Sequence, residues 1–296
     1  YQAGQIAAQD LLGGIAVPTG CVVRPQQVRQ LDSKDIGDGD WLALAQACGQ
    51  QLADPQVAAI VITHGTDTLE ETAWFLQCVL PAGKPVVLTC AMRPASALSA
   101  DGPANLRDAL ACAADGGALA WAQAGQPVLV VAAGEVHSAA AVRKVHAYQV
   151  HALSSAPAGP VAWVEEGRLR WAQRLPQQVV VKNAVPLPPL PWPWVEVVTS
   201  HAGARAEGVD ALVAAGVRGL VVAGTGNGTV HAAWLPALQR ARAAGVPIVR
   251  TTRCAEGRIV QAPGQDDAEV VDLPPLKARI SLMLRCMSPS VPGPSP

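Results

Sequence analysis

VAAIVIT at residues 57–63, KPVVLT at 84–89 and PVLVVAA at 127–133 decide the fold of this chain. Each is a short apolar run rich in β-branched residues, the pattern of a strand covered on both faces. Between them lie LEETAWFLQCVL (69–80) and PANLRDALACAAD (103–115), with apolar residues at helical spacing and Pro103 near the first turn of the second. The alternation of strand and helix predicts an α/β fold with a doubly wound, mainly parallel sheet. Gly116–Gly134 is a long uncharged stretch, but glycines, glutamines and Pro127 interrupt it. It reads as a helix end, a turn and a buried strand, and not as a membrane span.

Downstream the texture changes. Residues 139–172 run in short pieces ending in PVAWVEEGRLRWAQ, where EEG between two apolar runs signals a hairpin. PQQVVVKNAVPLPPLPWPW (176–194) then has proline at five of its last nine positions, which favours an extended linker; a ligand for proline-binding domains is the alternative. Beyond it WVEVVTS (194–200), RGLVVAG (218–224) and VPIVRTT (246–252) alternate with helical segments at 204–215, 234–245 and 275–286. The expected organisation is a larger N-terminal catalytic α/β domain over 1–175, a proline-rich linker over 176–193 and a smaller C-terminal α/β domain over 194–296.

Composition narrows the function classes. At 296 residues the chain has room for about two domains. Only 15% of residues are charged and the net charge is −1, so no basic footprint for nucleic acid or for a membrane surface is present. Seven cysteines, an odd number with no CxxC pair, read as reduced thiols of a cytoplasmic protein. Lysines number only five, at 34, 84, 144, 182 and 277, against 17 arginines, so each is a candidate for a specific task.

Ligands in open α/β sheets bind beyond the carboxyl ends of the strands. After the strand at 57–63 comes His64-Gly65-Thr66-Asp67-Thr68-Leu69-Glu70-Glu71. Gly65 permits a tight turn with close backbone approach, and a helix N-terminus follows. Thr68 and Glu71 fit a capping box, with Thr68 as N-cap. That leaves Thr66 and Asp67 unexplained, a hydroxyl and a carboxylate facing the crevice. After the strand at 84–89 a long polar loop runs from Cys90 to Pro103, a length that is often functional. Leu31-Asp32-Ser33-Lys34-Asp35 gathers polar groups, although a solvated turn accounts for it alone. Lys144 is a potential base, since a buried lysine can lose its proton. Glu135, His137, His146 and His151 could raise the thought of a metal, but their spacing fits no helix face and no HExxH occurs, so no metal is expected. Gly224-Thr225-Gly226-Asn227-Gly228-Thr229 fails the dinucleotide fingerprint, which needs glycine at position 229. A nucleotide-binding enzyme is accordingly disfavoured; neither GxSxG nor a Walker A sequence is found.

HGTDTLEETA (64–73), TCAMRPASALSADGPANLRDAL (89–110), DSKD (32–35), YQAGQ (1–5), GTGNG (224–228) and RTTR (250–253) together resemble the bacterial-type L-asparaginase family, and the resemblance runs along the whole chain. It implies hydrolysis of L-asparagine to L-aspartate and ammonia through a threonine nucleophile, without cofactor or metal. It makes Thr66 one of two catalytic threonines, Lys144 the base that takes its proton, and Asp67 both their neighbour and the holder of the substrate ammonium. Ser33 would bind the α-carboxylate, beside Lys34, where many members carry glutamine. Gly65 and Ala91 would meet the substrate through their backbone. Tyr1 matches the tyrosine of a mobile lid. Thr229 would reach a neighbouring subunit's site, in a homo-oligomer expected to be a tetramer built from intimate dimers. The family's glycine-rich first motif, of the type TGGTI, lies upstream of the lid tyrosine. An additional segment of about 20–30 residues carrying it is therefore expected, because a sheet starting at Tyr1 would expose an unpaired edge. A catalytically silent amino-acid-binding homologue is the other class, and the upstream sequence discriminates the two. The cytoplasm is the expected compartment, with the periplasm open. An acidic partner for the substrate ammonium after RTTR has no counterpart in Gln261-Ala262-Pro263-Gly264-Gln265. Losing one charged hydrogen bond there would weaken affinity by roughly 10- to 150-fold.

Overall fold

The computed structural model describes residues 6–173, 184–261 and 269–287. It divides into two compact units, 1–187 and 188–296. In the first, two short 3-10 turns (Asp10–Leu12 and Ser33–Asp35) precede helix α1 (Asp38–Ala53), whose start is fixed by Asp40 accepting from the Gly37 N–H at 3.0 Å. Strand β1 (Ile60–Thr63), helix α2 (Leu69–Val79), strand β2 (Val86–Thr89), helices α3 (Gly102–Ala113) and α4 (Gly116–Gln123), and strand β3 (Val128–Ala132) follow in the expected alternation. Strands β4 (Glu135–Ser138), β5 (Arg143–Lys144), β6 (Leu153–Ser154), β7 (Ala162–Glu165) and β8 (Arg168–Trp171) complete the unit.

The described strands of the larger sheet lie in the order β1-β2-β3-β4-β7-β8. β1, β2 and β3 are parallel, and the pairs β3–β4, β4–β7 and β7–β8 are antiparallel. The antiparallel half follows from two tight turns. Ala133-Gly134 has φ of 50° and 76°, and Glu166-Gly167 has 50° and 73°. Two successive residues at positive φ make the two-residue hairpin turn that matches strand twist. The EEG signal shows the second turn in the sequence; the first is hidden, because alanine seldom adopts that conformation. The parallel half is buried on both faces, as continuous apolar runs require: Val86, Val87, Leu88, Leu129, Val130 and Val131 are each inaccessible to solvent. Val87, Leu129 and Val131 pack on Ala109, Cys112 and Trp121 of α3 and α4.

The second unit contains β9 (Val195–Thr199), α5 (Glu207–Ala214), β10 (Gly219–Gly224), α6 (Leu235–Ala243), β11 (Ile248–Thr252), β12 (Glu269–Val270) and α7 (Pro275–Met287). Its described strands are all parallel, in the order β12-β11-β10-β9. Leu220, Val222 and Ile248 pack on Val209, Ala237, Leu238 and Ala241 of α5 and α6. Gly219 lies under α7: a Cβ there would sit 3.0 Å from Leu282. Among the described residues no helix is long and apolar enough to cross a membrane.

Candidate active site

β1 and β2 end side by side, with the His64 N–H donating to the Thr89 carbonyl at 2.9 Å. Thr89 in turn donates its hydroxyl to the Val131 carbonyl at 2.8 Å, so three strand ends are locked together. The turn 64–68 rises from this platform into α2. Gly65 lets it do so, because a Cβ at this position would lie 2.5 Å from Ser33 Oγ and 2.8 Å from Ser33 Cβ. The close approach carries Ser33, 2% exposed, against the turn. Ser33 Oγ accepts from the Asp67 N–H at 3.3 Å, and Thr68 Oγ1 donates to the Ser33 carbonyl at 2.7 Å. The second bond corrects the capping-box expectation. Thr68 occupies the N-cap position but makes no side-chain cap bond. Its hydroxyl is drawn to a buried carbonyl 35 residues away in sequence, where leaving an acceptor unpaired would cost more than leaving a helix end to water.

Lys144 arrives from β5. Its Nζ donates to Thr66 Oγ1 at 2.9 Å and also to Asp67 Oδ1. The lysine side chain is 16% exposed while Asp67 is 51% exposed, so the ammonium is sheltered and the carboxylate faces outward. Thr66, Asp67, Lys144, Ser33 and Gly65 are thus brought together by segments far apart in sequence. An amine within hydrogen-bond reach of a hydroxyl is the geometry of a base and the group it activates.

The rest of the constellation is arranged around them. Ala91 begins the loop after β2, and Gly102 comes close enough that a Cβ would lie 3.3 Å from Ala91 Cβ. Asp101 folds this loop by accepting from the Met92 and Arg93 N–H groups at 2.9 and 2.8 Å. Asn105, 3% exposed, donates to the Cys90 carbonyl and accepts from the Ala133 N–H, both at 2.9 Å. Asp101 and Asn105 therefore shape the loop, a role that sequence reading missed; the four-residue spacing that places both on one side of α3 was the available signal. Lys34 is exposed and its ammonium is engaged by Asp35 and, at 3.6 Å, by Asp32, which keep it firmly protonated. His64 directs Nδ1 at the Gly65 carbonyl at 2.6 Å, while its buried Nε2 has no hydrogen-bond partner among the described residues. Burial holds this imidazole below its ordinary value, against the opposing pull of the carbonyl. Cys90, beside Ala91, is a buried thiol pushed up to about 12 by desolvation, hence inert.

The other lysines have different work. Lys84 donates to the Leu52 and Asp54 carbonyls behind α1, and Lys277 is fully buried in the second unit. His137 is buried and bonded to Ser155 Oγ at 2.8 Å, with Glu135 at 3.6 Å, while His146 Nδ1 accepts from two backbone N–H groups. No group of three or more His, Cys, Asp or Glu is placed to hold a metal ion among the described residues. In the second unit the loop 224–229 doubles back so tightly that a Cβ on Gly224 would lie 2.5 Å from Gly228. Thr229 closes this loop on Thr225, backbone to backbone and with the two hydroxyls 2.8 Å apart. Tyr1 and residues 262–265 lie outside the described residues.

The model of the asparaginase N-terminal domain matches residues 2–177, and that of the glutaminase/asparaginase C-terminal domain matches 194–289. The chain belongs to the asparaginase family. The family is one of amidohydrolases acting on small-molecule substrates. A glutaminase-asparaginase of Pseudomonas fluorescens biotype A is 36% identical over 298 residues, spanning 96% of this chain and 79% of that one. A probable periplasmic L-asparaginase of Haemophilus influenzae is 34% identical over 296 residues, covering 96% of this chain and 81% of the relative. Among solved asparaginase structures, a probable cytoplasmic L-asparaginase from Campylobacter jejuni superposes with a TM-score of 0.79 at 32% identity, over 89% of this chain and 81% of the other.

Proposed function

We propose that this protein is an L-asparaginase, EC 3.5.1.1, that hydrolyses L-asparagine to L-aspartate and ammonia through a threonine nucleophile. The contact between Lys144 Nζ and Thr66 Oγ1 carries this reading: it joins residues 78 apart in sequence within a turn that also presents a carboxylate. A threonine hydroxyl is a weak nucleophile until a base removes its proton. Lys144 takes that role once its own ammonium proton has left. The threonine oxygen attacks the side-chain amide carbon and forms an ester; the carbon–nitrogen bond breaks and ammonia departs with a proton. Water then cleaves the ester to aspartate. Backbone N–H groups near Gly65 and Ala91 would meet the developing oxyanion. Asp67, exposed beside the threonine, holds the substrate ammonium, and the buried Ser33 hydroxyl donates to the α-carboxylate. Lys34 stands at the rim of the site, with its charge already shared by Asp32 and Asp35.

Thr229 is assigned to substrate binding in a site shared between copies, which requires a homo-oligomer, read as a tetramer of intimate dimers. Seven free cysteines fit a reducing cytoplasm. Steady-state ammonia release from L-asparagine and from L-glutamine tests the assignment. Asparagine should be preferred, with modest affinity. A protein that binds asparagine or aspartate yet releases no ammonia from either amide overturns it, and full activity in a demonstrated monomer overturns the shared site.

A further inference from the structure

We infer that Glu70 is a positioning residue for Lys144, fixing the base through its backbone and not through its amine. The inference rests on the reading of Lys144 as the base. β5 is two residues long and, among the described residues, pairs only with the equally short β6, in a ladder separate from the larger sheet. So small a ladder has little stability of its own. On its β6 side the Val145 N–H donates to the Ala152 carbonyl at 2.8 Å. The Lys144 N–H instead donates to Glu70 Oε1 at 3.1 Å, a bond spanning 74 residues of sequence. Glu70 is 9% exposed and sits in the first turn of α2. The helix N-terminus there favours a carboxylate, and a carboxylate accepting from a backbone N–H makes the stronger kind of hydrogen bond.

Lys144 is consequently held at both ends by one short segment. Thr66 and Asp67 take its Nζ, and Glu70, four residues beyond Thr66, takes its backbone N–H. A lysine stem has four rotatable carbons, so a contact at the tip alone leaves the base free to wander. With the backbone fixed to the same helix start that presents the hydroxyl, the 2.9 Å separation between Nζ and Oγ1 is set by one rigid body. Proton transfer needs that separation within about 2.6–3.2 Å. Ser33 makes its contacts to the turn without Glu70, so the proposed substrate grip does not depend on it.

The test compares Glu70→Gln with Glu70→Asp. Glutamine keeps an acceptor at the same reach, whereas aspartate keeps the charge but is shorter by one methylene. For asparagine hydrolysis, Glu70→Asp should lose about 10- to 100-fold in kcat, the scale of a misplaced catalytic group. Its KM should be little changed. Glu70→Gln should restore kcat to within about threefold of the parent, because a neutral acceptor keeps roughly half the strength of the charged bond. Equal kcat in the two variants, a better Asp than Gln, a loss expressed in KM, or a loss of thermal stability with kcat unchanged overturns the inference. Lys144→Met is the reference. If it retains turnover, the reading of Lys144 as base fails; if it abolishes turnover while the two Glu70 variants behave alike, only the positioning role fails.

Discussion

Gly65→Ala isolates the closest approach in the site. Gly65 lies outside the left-handed region of backbone space, so alanine could adopt its conformation without strain. All of the effect must come from one methyl group. That methyl would lie 2.5 Å from Ser33 Oγ and 2.8 Å from Ser33 Cβ, nearer than real Cβ contacts come. Ser33 has little room to yield: it is 2% exposed and its carbonyl is tied to Thr68 Oγ1 at 2.7 Å. Overpacking of this kind costs about 1–3 kcal/mol. For a unit of this size each kcal/mol lowers the melting temperature by roughly 2–4 °C, giving a fall of about 2–12 °C. Relief by pushing Ser33 outward would lengthen its contact with the Asp67 N–H, now 3.3 Å. Both proposed anchors of the amino-acid head group would then be displaced. Losing one charged hydrogen bond is worth about 1.5–3 kcal/mol, so KM for asparagine should rise roughly 10- to 150-fold. Circular-dichroism melts and initial-rate kinetics on the purified variant measure the two effects. A Gly65→Ala protein with the parent's melting temperature and KM would refute the steric reasoning.

Thr66→Val and Lys144→Met should each abolish turnover without unfolding the protein, and the double variant should be little worse than either, since the pair acts as a unit; additive losses would count against a shared proton transfer. Asp67→Asn should act mainly on KM by removing the counter-charge for the substrate ammonium, an outcome that rate measurements across substrate concentration separate from a loss in kcat. Thr68→Ser should be tolerated while Thr68→Asp loses about 1 kcal/mol in denaturant titration. An N-cap role would favour aspartate instead, whereas the Ser33 carbonyl needs a hydroxyl donor. His64 supplies a pH dependence. Its folded-state value lies below the ordinary 6.5 because burial disfavours the imidazolium. The unfolded chain therefore takes up the proton first as the pH falls. Stability is fully present above the unfolded value and is lost as pH drops through the folded one. The melting temperature of the parent should fall between about pH 7 and about pH 5 more steeply than that of His64→Gln; parallel slopes would exclude His64 as the cause.

The parallel half of the larger sheet was legible because burial on both faces leaves no polar alternation, and VVLT or VLVVA then reads as a strand without ambiguity. The antiparallel half was not, since the turn that creates it rests on Ala133 at positive φ. Propensity argues against that residue there, and pairing with β4 overrides it. In the site, Thr66 and Asp67 stood out because they follow a strand end and precede a helix, with no cap left for them to make. Lys144 stood out because lysines are scarce in this chain. Glu70 carried no such mark. A glutamate in the first turn of a helix is the commonest of placements, and its bond to a backbone N–H 74 residues away is a property of the folded chain alone. Thr68 misled for the same reason: its sequence context fits a cap, and only the fold supplies the Ser33 carbonyl that competes for its hydroxyl.

Two separable tasks are fastened to one strand-to-helix turn. Gly65 and Thr68 fix Ser33, the proposed carboxylate partner, while Thr66, Asp67 and Glu70 fix Lys144. Of the six positions after His64, five are bonded or sterically committed, and the sixth, Leu69, anchors the turn by burying its side chain completely in the core. A substitution that displaces the shared backbone therefore disturbs substrate grip and proton transfer together, whereas a change confined to the Glu70 side chain acts on proton transfer alone. The rim is under no such constraint. Among the described residues Lys34 is bonded to its own neighbours Asp32 and Asp35, and more than half of its side chain is in water. It can change without moving Ser33, whose contacts run through the buried side of the same short segment. Position 34 is thus open to exchange with the turn intact, because the steric and hydrogen-bond constraints on Ser33 run through packed backbone and Lys34 carries none of them.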